Sequence, residues 1–174
     1  MTNYKQRLAQ ITTLIFDVDG VLTDGKIMIT TEGEMYRQMD TKDGFALKCA
    51  LNEGLKVVII SGGTNEGVRD RLKALGVFDI YMGVHHKLEA FRDLLDNYTI
   101  SPDTILYMGD DIPDIPVMEK VGVSCCPNDA VADVLAMADY VSPKKGGAGC
   151  VRDILEQVLR VQGKWGQFNS AKND

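Results

Sequence analysis

The chain has 174 residues, of which 45% are hydrophobic and 25% are charged, and these fractions are typical of a soluble globular domain with its own core. The formal net charge of −6 at pH 7 argues against a general nucleic-acid binder, because such a protein presents a basic face. No apolar run approaches the length of a membrane span, and no signal-peptide segment is recognisable. We therefore expect one cytoplasmic domain over residues 1–174, with reduced cysteines and no nucleic-acid or membrane partner.

The first predicted strand, residues 14–16, ends in an acidic motif. Asp17 and Asp19 follow it one residue apart, and Gly20 comes directly after them. An apolar strand that ends in carboxylates is typical of a buried parallel strand whose carboxyl end lies at an active site. Both carboxylates can leave the strand on the same side, where a divalent cation would relieve their repulsion. On this motif alone, an acidic turn without function is the alternative.

A small hairpin is predicted after this motif. Residues 26–29 and 34–39 alternate in hydrophobicity on either side of a short polar segment, which predicts a β-hairpin over about residues 26–39. It is too small to be a cap domain. Because a lone two-stranded hairpin is marginally stable in water, we expect it to pack on something else.

The rest of the chain alternates between strand and helix patterns. Strands are predicted at residues 56–60, 79–82, 104–108, 123–126 and 140–141, and helices at residues 43–53, 65–75, 87–97, 115–121, 130–138 and 150–161. This alternation predicts an α/β fold, a three-layer doubly wound parallel sheet with the small hairpin as its insertion and no cap domain. The tail, residues 163–174, is polar and expected to be loose, except that Trp165 and Phe168 need cover.

Polar residues follow three of the predicted strands. Besides the first acidic motif, Ser61 and Gly62 follow one strand, and Asp110 and Asp111 follow another. The carboxyl ends of parallel strands meet at one edge of the sheet, and Lys87 begins a helix that can reach the same edge. Carboxylates suit Mg²⁺, whereas a serine, backbone amides and a lysine suit a phosphoryl group. Together they indicate phosphoryl transfer through an aspartyl-phosphate.

The order of these motifs resembles the haloacid dehalogenase superfamily. Asp-x-Asp-Gly, a serine after an apolar strand, a lysine, and Gly-Asp-Asp with Asp114 three residues further on occur between about residues 14 and 152. The motif Asp-Val-Asp-Gly-Val-Leu-Thr-Asp-Gly with its hairpin resembles the capless 3-deoxy-D-manno-octulosonate 8-phosphate (KDO 8-phosphate) phosphatases. The segment Gly-Gly-Ala-Gly-Cys-Val-Arg, residues 146–152, is similar to their glycine-rich signature. The resemblance implies a magnesium-dependent homotetramer that hydrolyses KDO 8-phosphate in the cytoplasm during lipopolysaccharide biosynthesis.

The same resemblance implies a role for each matching residue. Asp17 is the nucleophile and a magnesium ligand. Asp19 gives its backbone carbonyl to the metal, while its side chain protonates the leaving oxygen and later activates water. Ser61, Gly62 and Lys87 hold the transferring phosphoryl group.

Three further aspartates complete the implied site. Asp110 ligates magnesium, and Asp111 and Asp114 support the metal and the lysine. The adjacent pair His85–His86 could also be read as metal ligands, but neighbouring residues rarely converge on one ion.

This chain departs from the family at one position. Many KDO 8-phosphate phosphatases have an arginine two residues after the serine or threonine of the second motif, where this chain has Gly63, followed by Thr64 and Asn65. For the related nine-carbon keto-sugar phosphatases, the resemblance implies a preference for glutamate at this position and for lysine near Ala74. This chain has neither residue. The resemblance therefore favours the eight-carbon sugar, with the nine-carbon sugar phosphate as the alternative. Gly63, Thr64 and Asn65 remain candidate substrate contacts.

Two basic residues near the glycine-rich segment are further candidates for binding an anionic substrate. Lys144 could contact the substrate or be a solvated surface charge. Arg152 could bind a carboxylate or cap its own helix.

Two other classes of function compete with the phosphatase. A non-enzymatic phospho-acceptor module of the response-regulator type also uses an acidic cluster, a hydroxyl and a lysine, but lacks the second aspartate, so Asp19 favours hydrolysis. An inactive assembly domain is disfavoured because Asp17, Lys87 and Asp110 are all present. The apolar hairpin and the absence of a cap predict that hairpins of several chains pack together and roof each other's sites, whereas the alternative is a monomer.

Overall fold

The computed structural model describes residues 3–166. Phe168 and the rest of the predicted tail beyond residue 166 lie outside the described residues. The helices and strands, in chain order, are α1 (Tyr4–Leu8), β1 (Thr13–Phe16), β2 (Met28–Ile29), β3 (Met35–Tyr36), α2 (Thr41–Asn52), β4 (Lys56–Ile60), α3 (Glu66–Ala74), β5 (Asp79–Tyr81), α4 (Lys87–Tyr98), β6 (Ile105–Met108), α5 (Ile115–Met118), β7 (Val123–Cys126), α6 (Ala132–Met137), β8 (Tyr140–Val141) and α7 (Cys150–Val161).

Six strands form one parallel sheet in the order β5-β4-β1-β6-β7-β8. Strand β1 lies between β4 and β6, and Phe16 at its end pairs with Ile59 on one side and Met108 on the other. The chain first builds the sheet outward from β1 to β5 and then returns to the other side of β1. Ligands bind in α/β sheets at such a reversal, so the strand order alone places a site at the end of β1.

Both faces of the sheet are buried. Leu14 and Phe16 of β1 belong to the core beneath α2 and α7, whereas Ile15 between them belongs to the core beneath α4. This alternation follows from the two-residue period of a strand. Burial on both faces also explains why the strand sequences are continuously apolar, and it confirms the predicted three-layer α/β fold.

The predicted hairpin is present as a separate antiparallel pair, with Met28 opposite Tyr36 and Ile29 opposite Met35. All four side chains are exposed, at 64%, 52%, 69% and 47% respectively. The hairpin therefore does not fold its apolar residues onto the sheet of its own chain. No cap domain is present within residues 3–166. In the same part of the chain, no helix is both long and apolar enough to cross a membrane.

One helix was not predicted. Helix α1 has five residues, and Leu8 is its only buried one. The Asn3 side chain caps its start by accepting a hydrogen bond from the backbone N–H of Lys5 at 3.2 Å. So short a segment with one buried apolar residue carries no helical period that the sequence could display.

The glycine-rich segment before α7 lies against the acidic turn that follows β1. A Cβ added at Gly146 would lie 1.9 Å from the backbone oxygen of Gly20, so no larger residue fits without moving the backbone. Next to it, the backbone N–H of Gly147 donates to the carbonyl oxygen of Val21 at 2.9 Å. Gly20 itself has a φ of +92°, which a glycine adopts without strain. The C-terminal segment thus holds the turn that carries the two aspartates.

The substitution Gly146→Ala should lower the free energy of unfolding by about 1–3 kcal/mol, the usual cost of overpacking a tight contact. Amide exchange at Gly147 should accelerate, because its hydrogen bond to Val21 must shift. Urea unfolding and hydrogen exchange measure the two effects. Gly54→Ala is the control for the loss of a glycine without overpacking: Gly54 has a positive φ but open space around it, so that variant should leave exchange at Gly147 unchanged. Unchanged exchange at Gly147 in Gly146→Ala would contradict the packing argument.

Candidate active site

A cavity of about 460 Å³ lies at the carboxyl edge of the sheet, where β1, β4 and β6 end. Most of the predicted site residues line it, namely Asp17, Asp19, Ser61, Gly62, Gly63, Lys87, Asp110, Asp111 and Asp114. The structure therefore brings three strand ends and the start of α4 together at one edge of the sheet.

Lys87, the first residue of α4, is buried between two carboxylates. Its Nζ lies 2.6 Å from Oδ1 of Asp114 and 3.0 Å from Oδ2 of Asp17. Burial lowers the pKa of Lys87, but the two carboxylates outweigh burial, and the pKa is raised above its ordinary value. The ammonium group therefore stays charged and provides a fixed positive charge beside Asp17.

Asp114 organises the loop after β6. Its Oδ1 accepts hydrogen bonds from Lys87 and from the hydroxyl of Tyr107, both at 2.6 Å. Its Oδ2 accepts the backbone N–H groups of Asp110 and Asp111 at 3.0 and 3.2 Å. Burial and the charge of Asp114 raise the pKa of Tyr107 well above its ordinary value, so this hydroxyl remains a donor. Four donors occupy Asp114, which therefore holds Lys87, Tyr107 and the start of the loop after β6 together.

Tyr107 is a site residue that the sequence prediction missed. It lies in β6, a strand that is otherwise apolar, and its side chain is fully buried. A phenol in a buried strand needs a partner for its hydroxyl, and this one lies three residues before Asp110. This closeness to the acidic motif is the sequence feature that could have indicated a place for Tyr107 in the site.

The carboxylates of Asp17, Asp110 and Asp114 lie close enough to hold a metal ion, with one oxygen from each within 4.8 Å of the others. Since Asp114 is already engaged, Asp17 and Asp110 are the two available to a cation. Oδ1 of Asp110 is buried and has no hydrogen-bond partner. Two hard oxygen donors with an unpaired buried oxygen fit Mg²⁺, which keeps several waters as further ligands. His85 lines the cavity, but neither histidine of His85–His86 belongs to this cluster.

Burial and the repulsion between neighbouring carboxylates raise the pKa values of two aspartates in the cluster. Burial raises the pKa of Asp17 to about 6, although Lys87 acts to lower it. Burial, together with the charges of Asp17 and Asp114, raises the pKa of Asp110 to about 7. One lysine does not compensate three carboxylates, and a divalent cation would complete the charge balance.

Asp19 lies at the cavity and is paired with a residue of the hairpin. Its Oδ1 lies 2.7 Å from Nε of Arg37, and its Oδ2 lies 3.2 Å from Nη2 of the same guanidinium. Arg37 was not among the predicted site residues. A basic residue beside an exposed turn is normally solvated, and no sequence pattern indicates that this one turns back toward β1.

The loop after β4 provides backbone groups at the cavity. Ser61 is buried at its start, and its hydroxyl oxygen accepts the N–H of Gly63 at 3.2 Å. Asn65 is engaged elsewhere: Oδ1 accepts the N–H of Val68 at 3.0 Å and caps α3, and Nδ2 donates to the carbonyl oxygen of Met35 at 2.9 Å. Thr64 and Asn65 are not among the residues that line the cavity.

Lys144 and Arg152 lie outside the cavity of their own chain. Lys144 is an exposed loop residue. The guanidinium of Arg152 lies 5.1 Å from the ring centre of Trp165 and 5.6 Å from that of Phe45. Arg152 therefore packs helices and gives Trp165 part of the cover it was expected to need.

Because the pKa values of Asp17 and Asp110 are raised, the free energy of unfolding of the metal-free protein should depend on pH. Because both values exceed those of an unfolded chain, the folded state binds protons more tightly between about pH 4 and pH 7. The carboxylate cluster should therefore make the free energy of unfolding fall as the pH rises through this window. Magnesium should stabilise the protein more at about pH 8 than at about pH 5, since binding requires ionised carboxylates.

Urea unfolding at several pH values, in chelator and in magnesium, tests this prediction. Asp110→Asn removes one of the titrating groups, so the metal-free variant should lose less stability than the wild type as the pH rises. An Asp110→Asn variant with the same pH dependence as the wild type would contradict the assignment.

The chain is similar in sequence to known phosphatases. Residues 73–154 match the family model of haloacid dehalogenase-like hydrolases. The whole chain is 42% identical over 163 residues to the 3-deoxy-D-manno-octulosonate 8-phosphate phosphatase KdsC of Salmonella typhi, an alignment that covers 94% of this chain and 87% of the relative. The enzyme of the same name from Escherichia coli K12 is 44% identical over 154 residues, covering 88% of this chain and 82% of the relative.

Solved structures agree with the sequence relatives. The 3-deoxy-D-manno-octulosonate 8-phosphate phosphatase of Yersinia pestis superposes with a TM-score of 0.92 at 36% identity, covering 99% of this chain and 92% of that one. The phosphatase of the same name from Moraxella catarrhalis, solved in complex with magnesium, phosphate and KDO, superposes with a TM-score of 0.92 at 31% identity, covering 97% of both chains. With relatives above 40% identity over most of the chain, this protein belongs to the 3-deoxy-D-manno-octulosonate 8-phosphate phosphatase family of the haloacid dehalogenase superfamily and is a phosphoric monoester hydrolase.

Proposed function

We propose that the protein hydrolyses KDO 8-phosphate to KDO and phosphate, with magnesium, through an aspartyl-phosphate on Asp17. The observation that carries this proposal is the pairing of Asp17 with the buried Lys87 in a cavity that also holds Asp19 and Asp110. The names of the relatives support the choice of substrate, and the magnesium, phosphate and KDO bound by the Moraxella catarrhalis enzyme support the choice of cofactor and product.

In the first half-reaction, a carboxylate oxygen of Asp17 attacks the phosphorus atom. The bond between phosphorus and the sugar oxygen breaks, and its electron pair goes to that oxygen, which takes a proton from the Asp19 carboxyl. Lys87, Ser61 and the amide of Gly62 hold the phosphoryl oxygens. Bound magnesium would be held by Asp17 and Asp110 and would supply positive charge where negative charge develops.

In the second half-reaction, Asp19 acts as a base. Its carboxylate takes a proton from a water molecule that attacks the phosphorus atom, and the bond to Asp17 breaks with its electrons returning to the Asp17 carboxylate. The phosphate then leaves with both aspartates restored. A phospho-acceptor module lacks a group in the position of Asp19, and the placement of Asp19 at the cavity therefore favours an enzyme.

Gly63 supports the eight-carbon substrate over the nine-carbon alternative. The family resemblance implies that nine-carbon phosphatases prefer glutamate at that position, and here a Cβ would already lie 3.2 Å from Oδ2 of Asp19. A glutamate side chain at position 63 would place a second carboxylate beside the acid–base residue.

We further propose that the enzyme works in the cytoplasm. All four cysteines, Cys49, Cys125, Cys126 and Cys150, are free and buried, which fits a reducing compartment.

Purified protein with magnesium should show a higher kcat/KM for KDO 8-phosphate than for nine-carbon keto-sugar phosphates. Asp17→Asn should abolish turnover, because an amide cannot form the phosphoenzyme. Phosphate release measures both, and circular dichroism verifies that the variant is folded. A different best substrate with an inactive Asp17→Asn would replace the substrate but keep the mechanism. A folded Asp17→Asn variant with near-normal activity would overturn the mechanism.

We also propose that the hairpins of four chains pack together and that each active site is roofed by a neighbour. The apolar hairpin residues are exposed in the single chain, and Met35 and Arg37 contact the site loops, so the hairpin stands at the mouth of the cavity. Burying these side chains between chains would both stabilise the hairpin and exclude water from the site.

Replacing Ile27 and Ile29 by Asp should dissociate this assembly, because each buried charge would lack a partner. Turnover of the sugar phosphate should fall, whereas turnover of p-nitrophenyl phosphate, which needs little from the roof, should fall less. Light scattering and phosphate release measure the two effects, with Thr31→Asp at the exposed hairpin tip as the matched control. A fully active wild-type monomer in solution would defeat the proposal.

A further inference from the structure

We propose that Arg37 is a positioning residue that fixes the carboxylate of Asp19 for proton transfer, an inference that rests on the proposed function of Asp19. The hairpin thereby becomes part of the active site. The proposal follows from four observations of the single chain: the geometry of the pair, its burial, the space that Gly63 leaves, and the attachment of the hairpin.

The geometry of the pair fixes the carboxylate in both position and plane. Two nitrogen atoms of one guanidinium reach the two oxygens of one carboxylate, Nε to Oδ1 at 2.7 Å and Nη2 to Oδ2 at 3.2 Å. Such a two-point contact restricts rotation, which a single hydrogen bond does not. Within residues 3–166, Asp19 also accepts a longer hydrogen bond from the hydroxyl of Thr23 at 3.5 Å, and that hydroxyl also faces the carbonyl oxygen of Val18 at 3.3 Å. Arg37 is thus the main group that orients Asp19.

Burial shows that Arg37 is directed at the site and not at solvent. Only 7% of its side chain is exposed, although the neighbouring Tyr36 is 52% exposed. A buried guanidinium is costly without a charged partner, and within residues 3–166 Asp19 is the carboxylate that pairs with it. Its remaining nitrogen, Nη1, is buried and has no partner among those residues.

The placement of Arg37 favours an action through Asp19 over direct binding of the phosphoryl group. Asp19 lines the cavity, whereas Arg37 does not. Arg37 therefore contacts the carboxylate from outside the cavity lining, while 30% of the Asp19 side chain remains exposed. Each carboxylate oxygen has a second lone pair, which can carry the proton while the first accepts from Arg37.

Gly63 provides the space for this ion pair. A Cβ at position 63 would lie 3.2 Å from Oδ2 of Asp19 and 3.7 Å from Nη2 of Arg37. A side chain there would press on Asp19 and would be in ordinary van der Waals contact with Arg37.

A second contact attaches the hairpin beside this pair. Nδ2 of Asn65 donates to the carbonyl oxygen of Met35 at 2.9 Å, two residues before Arg37. Asn65 belongs to the same loop as Gly63. The segment of β3 and Arg37 is therefore fixed to the loop after β4, and the guanidinium is held in place by the backbone as well as by its charge.

The test compares substrates whose leaving groups differ in their need for a proton. The sugar oxygen of KDO 8-phosphate leaves as a poor, strongly basic group, whereas p-nitrophenolate leaves without protonation. Arg37→Gln should lower kcat for the sugar phosphate by about 10- to 100-fold with little change in KM, because the acid is misplaced but not removed. With p-nitrophenyl phosphate, the pre-steady-state burst of p-nitrophenol should keep nearly the wild-type rate.

Two further variants separate positioning from other roles. In an Asp19→Asn background, adding Arg37→Gln should lower kcat for the sugar phosphate by less than about twofold, because the two residues act as a unit. Arg37→Lys should recover part of the lost activity, since lysine keeps the charge but cannot form the two-point contact. Lys26→Gln is the matched control, because Lys26 is the other basic residue of the hairpin and is exposed; it should behave as the wild type.

Several outcomes would overturn the inference. A burst rate with p-nitrophenyl phosphate that falls as much as kcat for the sugar phosphate, or additive losses with Asp19→Asn, would show that Arg37 does not act through Asp19. A higher KM with unchanged kcat, confined to substrates that carry a carboxylate, would show a direct substrate contact. If Arg37→Gln is fully active and Asp19→Asn is impaired, the inference about Arg37 fails while the proposed function stands. If Asp19→Asn is itself fully active, the proposed function fails.

Discussion

The active site depends on one buried ammonium group. Lys87 joins the nucleophile candidate on β1 to the aspartate that organises the loop after β6, so a single charge connects two segments from opposite sides of the chain reversal. Without Lys87, Asp17 and Asp114 would face each other as two buried carboxylates, and one of them would have to take up a proton. With it, Asp17 remains closer to the ionised state that attack on phosphorus requires, while the pKa of Asp110 stays raised until a cation binds.

The fold makes this arrangement possible through the strand order. Because β1 lies between β4 and β6, the acidic turn, the loop with Ser61 and the loop with Asp110 begin from adjacent strands. Other segments then hold each loop from outside the cavity. Gly146 presses on the acidic turn, and the backbone N–H of Val131 donates to the carbonyl oxygen of Asp110 at 2.9 Å. The site is therefore supported by residues far from it in sequence, which fixes the carboxylates without filling the cavity.

The sequence predicts most of this arrangement because the information is local. Strands buried on both faces read as apolar runs, and the carboxylates stand directly at their ends, as Asp17 and Asp110 do. Contacts that depend on the direction of side chains from distant parts of the chain could not be predicted in this way.

Two residues of the site illustrate this limit. Arg37 lies in a short hairpin, where a charged residue normally faces water, and Tyr107 is buried in an apolar strand. Arg152 matched a family motif, yet in this chain it stacks on aromatic rings away from the cavity. Helix α6 also begins later than the predicted residue 130. The backbone N–H of Val131 donates to the carbonyl oxygen of Asp110, and the helix begins after it.

The most direct test of the account is the chemical identity of residue 17 during turnover. Borohydride reduces an aspartyl-phosphate to homoserine, and the Asp19→Asn variant should accumulate the intermediate because its hydrolysis lacks a base. Peptide mass spectrometry after borohydride treatment, with magnesium and p-nitrophenyl phosphate present because its leaving group needs no proton from residue 19, should find homoserine at position 17 and only aspartate when the substrate is omitted. An unmodified Asp17, or homoserine at Asp110, in protein that still turns over the substrate would contradict the account.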